Sequence, residues 1–110
     1  MPPSIEAIGE KIEQNDFELS KHAVDQSIVR NIQIIEIKEA IFQGQVIEDY
    51  PNDKYGSSCL ISGSTTNNRP LHIQCSYPER PLIKIITTNQ VLNAGIITLL
   101  QGKNNDSSKI

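Results

Sequence analysis

The sequence predicts a single α+β domain, with two or three N-terminal helices packed on one face of a four-stranded, mainly antiparallel sheet. Before about residue 44 apolar residues recur every three or four positions, and after it they alternate, which are the periods of helices and strands. The chain has 110 residues, enough for one core but not for two. Isoleucine must fill much of that core, because aromatic residues make up only 5% and tryptophan is absent. We expect residues 1–100 to form the domain and the polar residues 101–110 to be disordered.

The first helix is predicted to start after Ser4, a residue type that caps helix N-termini. Ile5, Ile8 and Ile12 recur at helical spacing, so this helix is amphipathic and is expected to end near Asn15.

The second helix is predicted over residues 21–30, with Ser20 as its cap. Val24 and Ile28, one turn apart, are expected to face inward together. Residues 17–19, just before the cap, are expected to form a short extended piece.

The third helix is predicted from the spacing of Ile34, Ile37 and Ile41, which line one side of it, and Gly44 ends it. Four strands follow in the prediction, over residues 46–50, 58–62, 71–77 and 82–88. An apolar stretch at 96–100 could form a further strand.

Alternation is clearest in the third predicted strand. Leu71, Ile73, Cys75 and Tyr77 fall on one face, while His72, Gln74 and Ser76 fall on the other. In the next strand Lys84 shares the polar side. One face of the sheet is therefore expected to be buried and the other to be polar.

Charge is divided between the two halves of the chain. Residues 1–53 hold eleven acids and four bases, whereas residues 54–110 hold two acids and six bases. A polyanion-binding protein is usually basic overall, and this chain has a net charge of −3, yet a basic sheet face can still act locally.

The chain is expected to be cytoplasmic and without a membrane segment. No apolar run approaches the roughly 20 residues of a membrane span, and the start of the chain lacks the pattern of a signal peptide. Cys59 and Cys75 lie in apolar strands and are expected to be buried, reduced thiols. Neither cysteine forms a close pair with another ligand residue, and no glycine-rich phosphate loop is present, so we predict no metal site and no cofactor.

His22 and Arg30 on the second helix are one candidate for chemistry. A histidine can transfer protons near neutral pH, and an arginine can hold a phosphate with two donors, as attack on a phosphodiester requires. The alternative is a histidine that packs locally and an arginine that is solvated or paired with Asp25.

The polar sheet face is the other candidate. His72, Gln74 and Lys84, helped by Arg69 and Arg80 near the strand ends, could position an RNA backbone and stabilise developing charge. An ordinary solvated sheet face is the alternative.

Several blocks of sequence, in order, resemble a bacterial family known only as domain of unknown function 4258. The blocks are residues 17–23 (FELSKHA), 30–32 (RNI), 36–37 (EI), 40–41 (AI), 46–51 (VIEDYP), 59–61 (CLI) and 69–73 (RPLHI). The family is similar in fold to the RelE/ParE-type toxins, several of which cleave messenger RNA on ribosomes. The resemblance implies a RelE-like fold, and it places the recurrent polar residues of the family at His22, Arg30, Tyr50 and His72.

The end of the chain departs from the family pattern. Where the family continues with a Tyr-x-Pro stretch and then a tryptophan followed by basic residues, this chain has Asn89, Gln90 and Val91 and then an apolar tail. A change of reading frame after about Thr88 is one hypothesis, and it would remove a basic group that a nuclease needs.

Two functions are therefore predicted. The first is a toxin-type endoribonuclease, with His22 or His72 as proton carrier, Arg30 and Tyr50 in the catalytic group, and RNA, the ribosome and an antitoxin-like protein as partners. The second is a non-catalytic interaction module that pairs through its sheet, with a homodimer as one form of that pairing.

Overall fold

A computed structural model of the protein describes residues 3–54 and 56–91. These residues form three helices and one five-stranded sheet, which confirms the α+β class. In chain order the elements are α1 (Ile5–Glu13), β1 (Phe17–Leu19), α2 (Lys21–Arg30), α3 (Ile34–Phe42), β2 (Gln45–Tyr50), β3 (Ser58–Ser64), β4 (Pro70–Ser76) and β5 (Ile83–Gln90).

The sheet has the order β1-β5-β4-β3-β2. The four predicted strands are present as β2 to β5, and each pairs antiparallel with the next. The prediction of four strands was nevertheless wrong in one respect, because β1 pairs in parallel with β5 and makes the sheet mixed. Three residues are too few to show a strand period, and their partner lies more than 60 positions away, so only the folded chain reveals this pairing.

Two of the helix starts follow from serine caps, as predicted. The Ser4 hydroxyl accepts a hydrogen bond from the Ala7 amide at 3.0 Å, and the Ser20 hydroxyl accepts one from the Ala23 amide at the same distance. Asn31, with a left-handed φ of 53°, ends α2.

The core lies between the helices and the apolar face of the sheet. Leu71, Ile73 and Cys75 of β4 are fully buried, which confirms the alternation predicted for these three residues. Tyr77, predicted on the same face, lies beyond the end of β4 and is half-buried, with its hydroxyl donating to Asp49. Ser76, predicted on the polar face, is buried and accepts a hydrogen bond from the Lys84 amide. The helices and the other strands contribute Ile8, Ile12, Ala23, Ile37, Ala40, Ile41, Cys59, Ile61, Ile83 and Ile85 to the same cluster. The opposite side of β4, with His72 and Gln74, lies outside this core.

Helix α2 is oriented differently from the prediction. Val24 and Ile28 were expected to face inward, but they are 41% and 73% exposed. Ala23 is the buried residue of α2, and the Ser27 hydroxyl lies 3.1 Å from the Thr88 hydroxyl of β5. The small and polar side of the helix therefore packs against β5, because it fits closely and can hydrogen-bond there.

Helix α3 has the predicted inward residues with one exception. Ile37 and Ile41 are fully buried, whereas Ile34 in the first turn is 47% exposed. The exposed apolar residues of α2 and the start of α3 thus follow one another along the chain.

Two predictions, the strand at 96–100 and disorder at 101–110, fall outside the described residues. Within residues 3–54 and 56–91, no helix has the length and hydropathy that a membrane span needs.

Candidate functional site

His72 occupies the middle of the open sheet face. Its neighbours across β3 and β5 are Ser62 and Asn89. The residue is half-buried, and its ring makes no hydrogen bond or ion pair with any part of the chain that the structure describes. His72 is therefore available to a ligand.

A polar stripe on α2 borders this position. The Gln26 side-chain amide donates to the Asn89 side-chain oxygen at 3.1 Å, and the Gln26 oxygen accepts from the Thr88 amide at 2.9 Å. Asn89 in turn lies next to His72. These contacts bring α2 beside the histidine.

His22 and Arg30 lie one turn before and one turn after Gln26, on the same side of α2. Both side chains are exposed, and neither has a hydrogen bond or ion pair among the described residues. We call the group His22, Gln26, Arg30, His72 and Asn89 the His72 surface. It contains three of the residues that the sequence nominated for catalysis.

Lys84 shares the polar side with His72 but lies at the other end of the strands. Its amide donates to the Ser76 hydroxyl at 2.9 Å, so Lys84 is level with Ser76, four residues from His72. At about 3.3 Å per residue, this separation is roughly 13 Å along the strand. The ammonium also lies 3.5 Å from the Glu18 carboxylate, which offsets its charge.

Arg69, predicted to bind substrate, is engaged within the protein. Its guanidinium donates to the Glu36 carboxylate at 3.0 Å, to the Arg30 carbonyl at 2.6 Å and to the Asn31 carbonyl at 2.8 Å. Its Nε donates to the Gln90 side chain at 2.9 Å. With its donors used in this way, the side chain fastens the end of α2 to the sheet.

Tyr50 and Gln74 meet in a separate depression. A pocket of about 450 Å³ opens beside the end of β2, and we call it the Tyr50 pocket. It is lined by Tyr50, Pro51, Asn52, Asp53 and Gln74.

Hydrogen bonds hold the walls of the Tyr50 pocket. The Tyr50 hydroxyl donates to the Glu48 carboxylate, and this bond raises the pKa of the phenol. The Gln74 amide donates to the Ser58 hydroxyl at 3.1 Å, and that hydroxyl donates to Asp53 at 3.1 Å. The pocket is therefore largely preformed.

The predicted site residues thus divide into groups. His22, Arg30 and His72 border one surface, and Tyr50 and Gln74 line one pocket. Arg80 is exposed in the turn before β5.

Sequence reasoning missed Asn89, because the predicted strand ended at Thr88 and because a bulge changes the phase of β5. Gln74 pairs with Thr87 while Cys75 pairs with Ile85, so Ile86 is an extra residue. The position of Gln26 could be read from the sequence, since it stands four residues from both His22 and Arg30 and therefore shares their side of the helix.

No metal site was found in the described part of the chain, since no three side chains among His, Cys, Asp and Glu converge there.

One comparison with known proteins gives a match. A family model described as Domain of unknown function (DUF4258) matches residues 19–89, which is more than half of the chain. The matched region contains the His72 surface and the Tyr50 pocket. No curated protein and no solved structure matches the chain.

Proposed function

The chain belongs to the DUF4258 family, and from its own geometry we propose that it is a toxin-type endoribonuclease of RelE-like fold that acts on RNA. The observation that carries this proposal is the contact between Gln26 and Asn89, which lays the polar stripe of α2 beside His72. The part of the chain from α2 onward, in which helices α2 and α3 precede the four antiparallel strands β2 to β5, supports the RelE-like architecture.

His72 is assigned as the proton carrier, in preference to His22, because it is half-buried beside Asn89 whereas His22 is fully on the surface. It would take the proton of a ribose 2′-hydroxyl as that oxygen attacks the neighbouring phosphate. The P–O5′ bond breaks in the same step, the 5′-oxygen leaves with a proton from water, and a 2′,3′-cyclic phosphate remains. Arg30, whose guanidinium is free in the described chain, would hold the phosphate and offset its developing charge.

Two nominated cations do not support the proposal. The guanidinium of Arg69 donates its hydrogen bonds to groups within the protein. Lys84 is paired with Glu18 and lies some distance from His72. Phosphate binding therefore depends on Arg30. We expect the affinity for RNA to be modest and to fall as salt concentration rises.

The test is cleavage of bare RNA and of messenger RNA on translating ribosomes by the purified protein. We expect His72→Ala to lower the cleavage rate by about 10²- to 10⁴-fold, the usual contribution of a proton-transfer residue. His22→Ala and Arg30→Ala are measured beside it. Lys21→Ala, which removes an exposed cation from the same helix, is the matched control and is expected to cleave normally.

Absence of cleavage on both substrates would discard the nuclease proposal. Equal cleavage by the wild type and by His72→Ala would discard the assignment of the proton carrier.

A second candidate function, a non-catalytic interaction module, is favoured by the exposed apolar residues of α2 and α3. Ile28 and Val29 are 73% and 79% exposed, and Val24, Ile34 and Ile35, which lie near them in the sequence, are exposed as well. A contiguous apolar area on a small protein commonly marks a binding surface. This candidate pairs through helices rather than through the sheet.

We propose a second copy of the chain as the occupant of this surface. In an antiparallel pairing of two α2 helices, Val24 would meet Ile28 of the second copy. The pairing is self-complementary, because each copy contributes both exposed residues to the same contact.

Sedimentation equilibrium tests the pairing. The wild type should be dimeric, and Ile28→Glu should be monomeric. Leu82→Glu changes an exposed apolar residue just before β5, away from α2, and should remain dimeric. A monomeric wild type at all concentrations would exclude the pairing, and binding to an antitoxin-like protein would then be the remaining form of this candidate.

A further inference from the structure

The Tyr50 pocket has the size and lining of a small-molecule site. Its volume of about 450 Å³ lies within the range of roughly 300–1,000 Å³ that is usual for such sites. The Tyr50 ring and the Pro51 ring supply apolar walls, and the hydrogen bond from Tyr50 to Glu48 restrains the aromatic ring. A restrained aromatic ring beside a shallow depression suits a planar ligand that stacks on it.

The polar groups of the pocket favour a ligand with N–H donors. The nitrogen of the Gln74 amide is engaged with Ser58, and its carbonyl oxygen takes no part in that bond. Asp53 accepts from Ser58 through one carboxylate oxygen, and its other oxygen takes no part in that bond. Oxygen acceptors of this kind pair with amino groups, as acidic and amide side chains do with the amino groups of nucleobases.

The charge of the pocket indicates which end of a nucleotide could enter it. Asp53 lines the pocket and Glu48 holds the Tyr50 hydroxyl, so a phosphate placed there would meet carboxylates. A base is neutral and avoids this repulsion. The base would therefore enter, while the sugar and phosphate stay outside.

We infer that the Tyr50 pocket binds a nucleobase that carries an amino group, stacked on Tyr50 and hydrogen-bonded to Gln74 and Asp53. The base can belong to a free nucleoside or nucleotide, or it can be an unpaired base of an RNA strand. Gln74 stands two residues from His72 on the same side of β4, so a strand on the open sheet face could reach both. Binding of a nucleoside needs neither His72 nor cleavage.

The test is a titration of the protein with adenosine, cytidine and uridine, followed through the side-chain amide signals of Asn52 and Gln74 in NMR spectra. Adenosine and cytidine should shift these signals, and uridine, which has no amino group, should bind more weakly. Tyr50→Ala should weaken adenosine binding by about 5- to 150-fold, the range for loss of one stacked base, whereas Tyr50→Phe keeps the ring and should bind much as the wild type does. Asp53→Asn, of nearly equal shape, should reduce the preference for adenosine over uridine, and the spectra report whether each variant is folded.

Two further arms identify the source of the base. Adenosine monophosphate should bind no more tightly than adenosine. An adenine-containing hexanucleotide that shifts the His72 ring signals as well as the pocket signals identifies an RNA strand as the ligand, and one that shifts the pocket signals alone identifies a free nucleoside or nucleotide.

The inference is overturned if neither adenosine nor cytidine shifts the pocket signals, if uridine binds equally well, or if folded Tyr50→Ala binds adenosine as tightly as the wild type. If no nucleoside binds the Tyr50 pocket but the protein cleaves RNA, the nuclease proposal stands. Adenosine binding without any RNA cleavage leaves the pocket inference standing and discards the nuclease proposal.

Discussion

At the scale of single residues, the bonds that a side chain already makes separate a structural cation from a functional one. Arg69 and Glu36 are each only 19% exposed, and their ion pair is joined by bonds from Arg69 to two carbonyls at the end of α2. Arg30, by contrast, is exposed and without a partner in the described chain. Two arginines that look alike in the sequence therefore have different roles, one structural and one available to a ligand.

We predict that Arg69→Ala destabilises the protein by about 2–4 kcal/mol, because it leaves the Glu36 carboxylate and two carbonyls without their donor. Arg69→Lys should restore only part of this loss, since an ammonium cannot reproduce the planar fork of the guanidinium. Urea unfolding measures the change. Arg80→Ala, at an exposed arginine in a turn, is the control and should lie within about 0.5 kcal/mol of the wild type. An Arg69→Ala protein as stable as this control would contradict the structural role.

At the scale of elements, two glycines allow α3 to approach β3 closely. A Cβ added at Gly63 would lie 1.9 Å from the Ala40 carbonyl oxygen, and one added at Gly44 would lie 2.5 Å from the same atom. Both contacts are with backbone, which cannot turn aside as a flexible side chain can. The end of α3 is therefore held directly against the sheet.

Gly63→Ala is expected to destabilise the protein by at least about 2 kcal/mol, because the helix and the strand must separate to admit the methyl group. Gly9→Ala is a matched change in a helix, where the new Cβ meets only the Phe42 ring at 4.0 Å. That variant should be more stable than the wild type by about 0.5–1 kcal/mol, since alanine favours the helix. Thermal and urea unfolding compare the two, and equal stability of both variants would argue against the close approach.

At the scale of the whole molecule, all three helices and strands β3, β4 and β5 contribute to one buried core. Cys59 and Cys75 lie opposite each other across β3 and β4, in the interior of that core, and both are free thiols. The hydrogen bond with Cys59, together with burial, raises the pKa of the Cys75 thiol. Both features disfavour the reactive thiolate of Cys75. The same hydrogen bond lowers the pKa of Cys59, so burial in the core is what keeps a reagent from that thiol.

A thiol reagent at mildly alkaline pH is expected to modify Cys59 and Cys75 only through unfolding of the core, so that both react at one slow rate. The rate should rise in the destabilised Gly63→Ala protein. Thr66→Cys, which adds a thiol at an exposed loop position, is the control and should react at once at that position. Rapid modification of either natural cysteine in the folded protein would contradict a closed core.

The sequence by itself determined the α+β class, the serine caps of α1 and α2, four of the strands and the sidedness of β4, because each depends on neighbours within a few residues. Only the tertiary structure decided that β1 pairs with β5 and that Val24 and Ile28 face outward. It also decided that Arg69 hydrogen-bonds to the end of α2, and that Gln26 brings α2 to Asn89 beside His72. These features depend on contacts between residues roughly 40 to 70 positions apart, or on a bulge that shifts the phase of β5, and local periodicity carries no information about either.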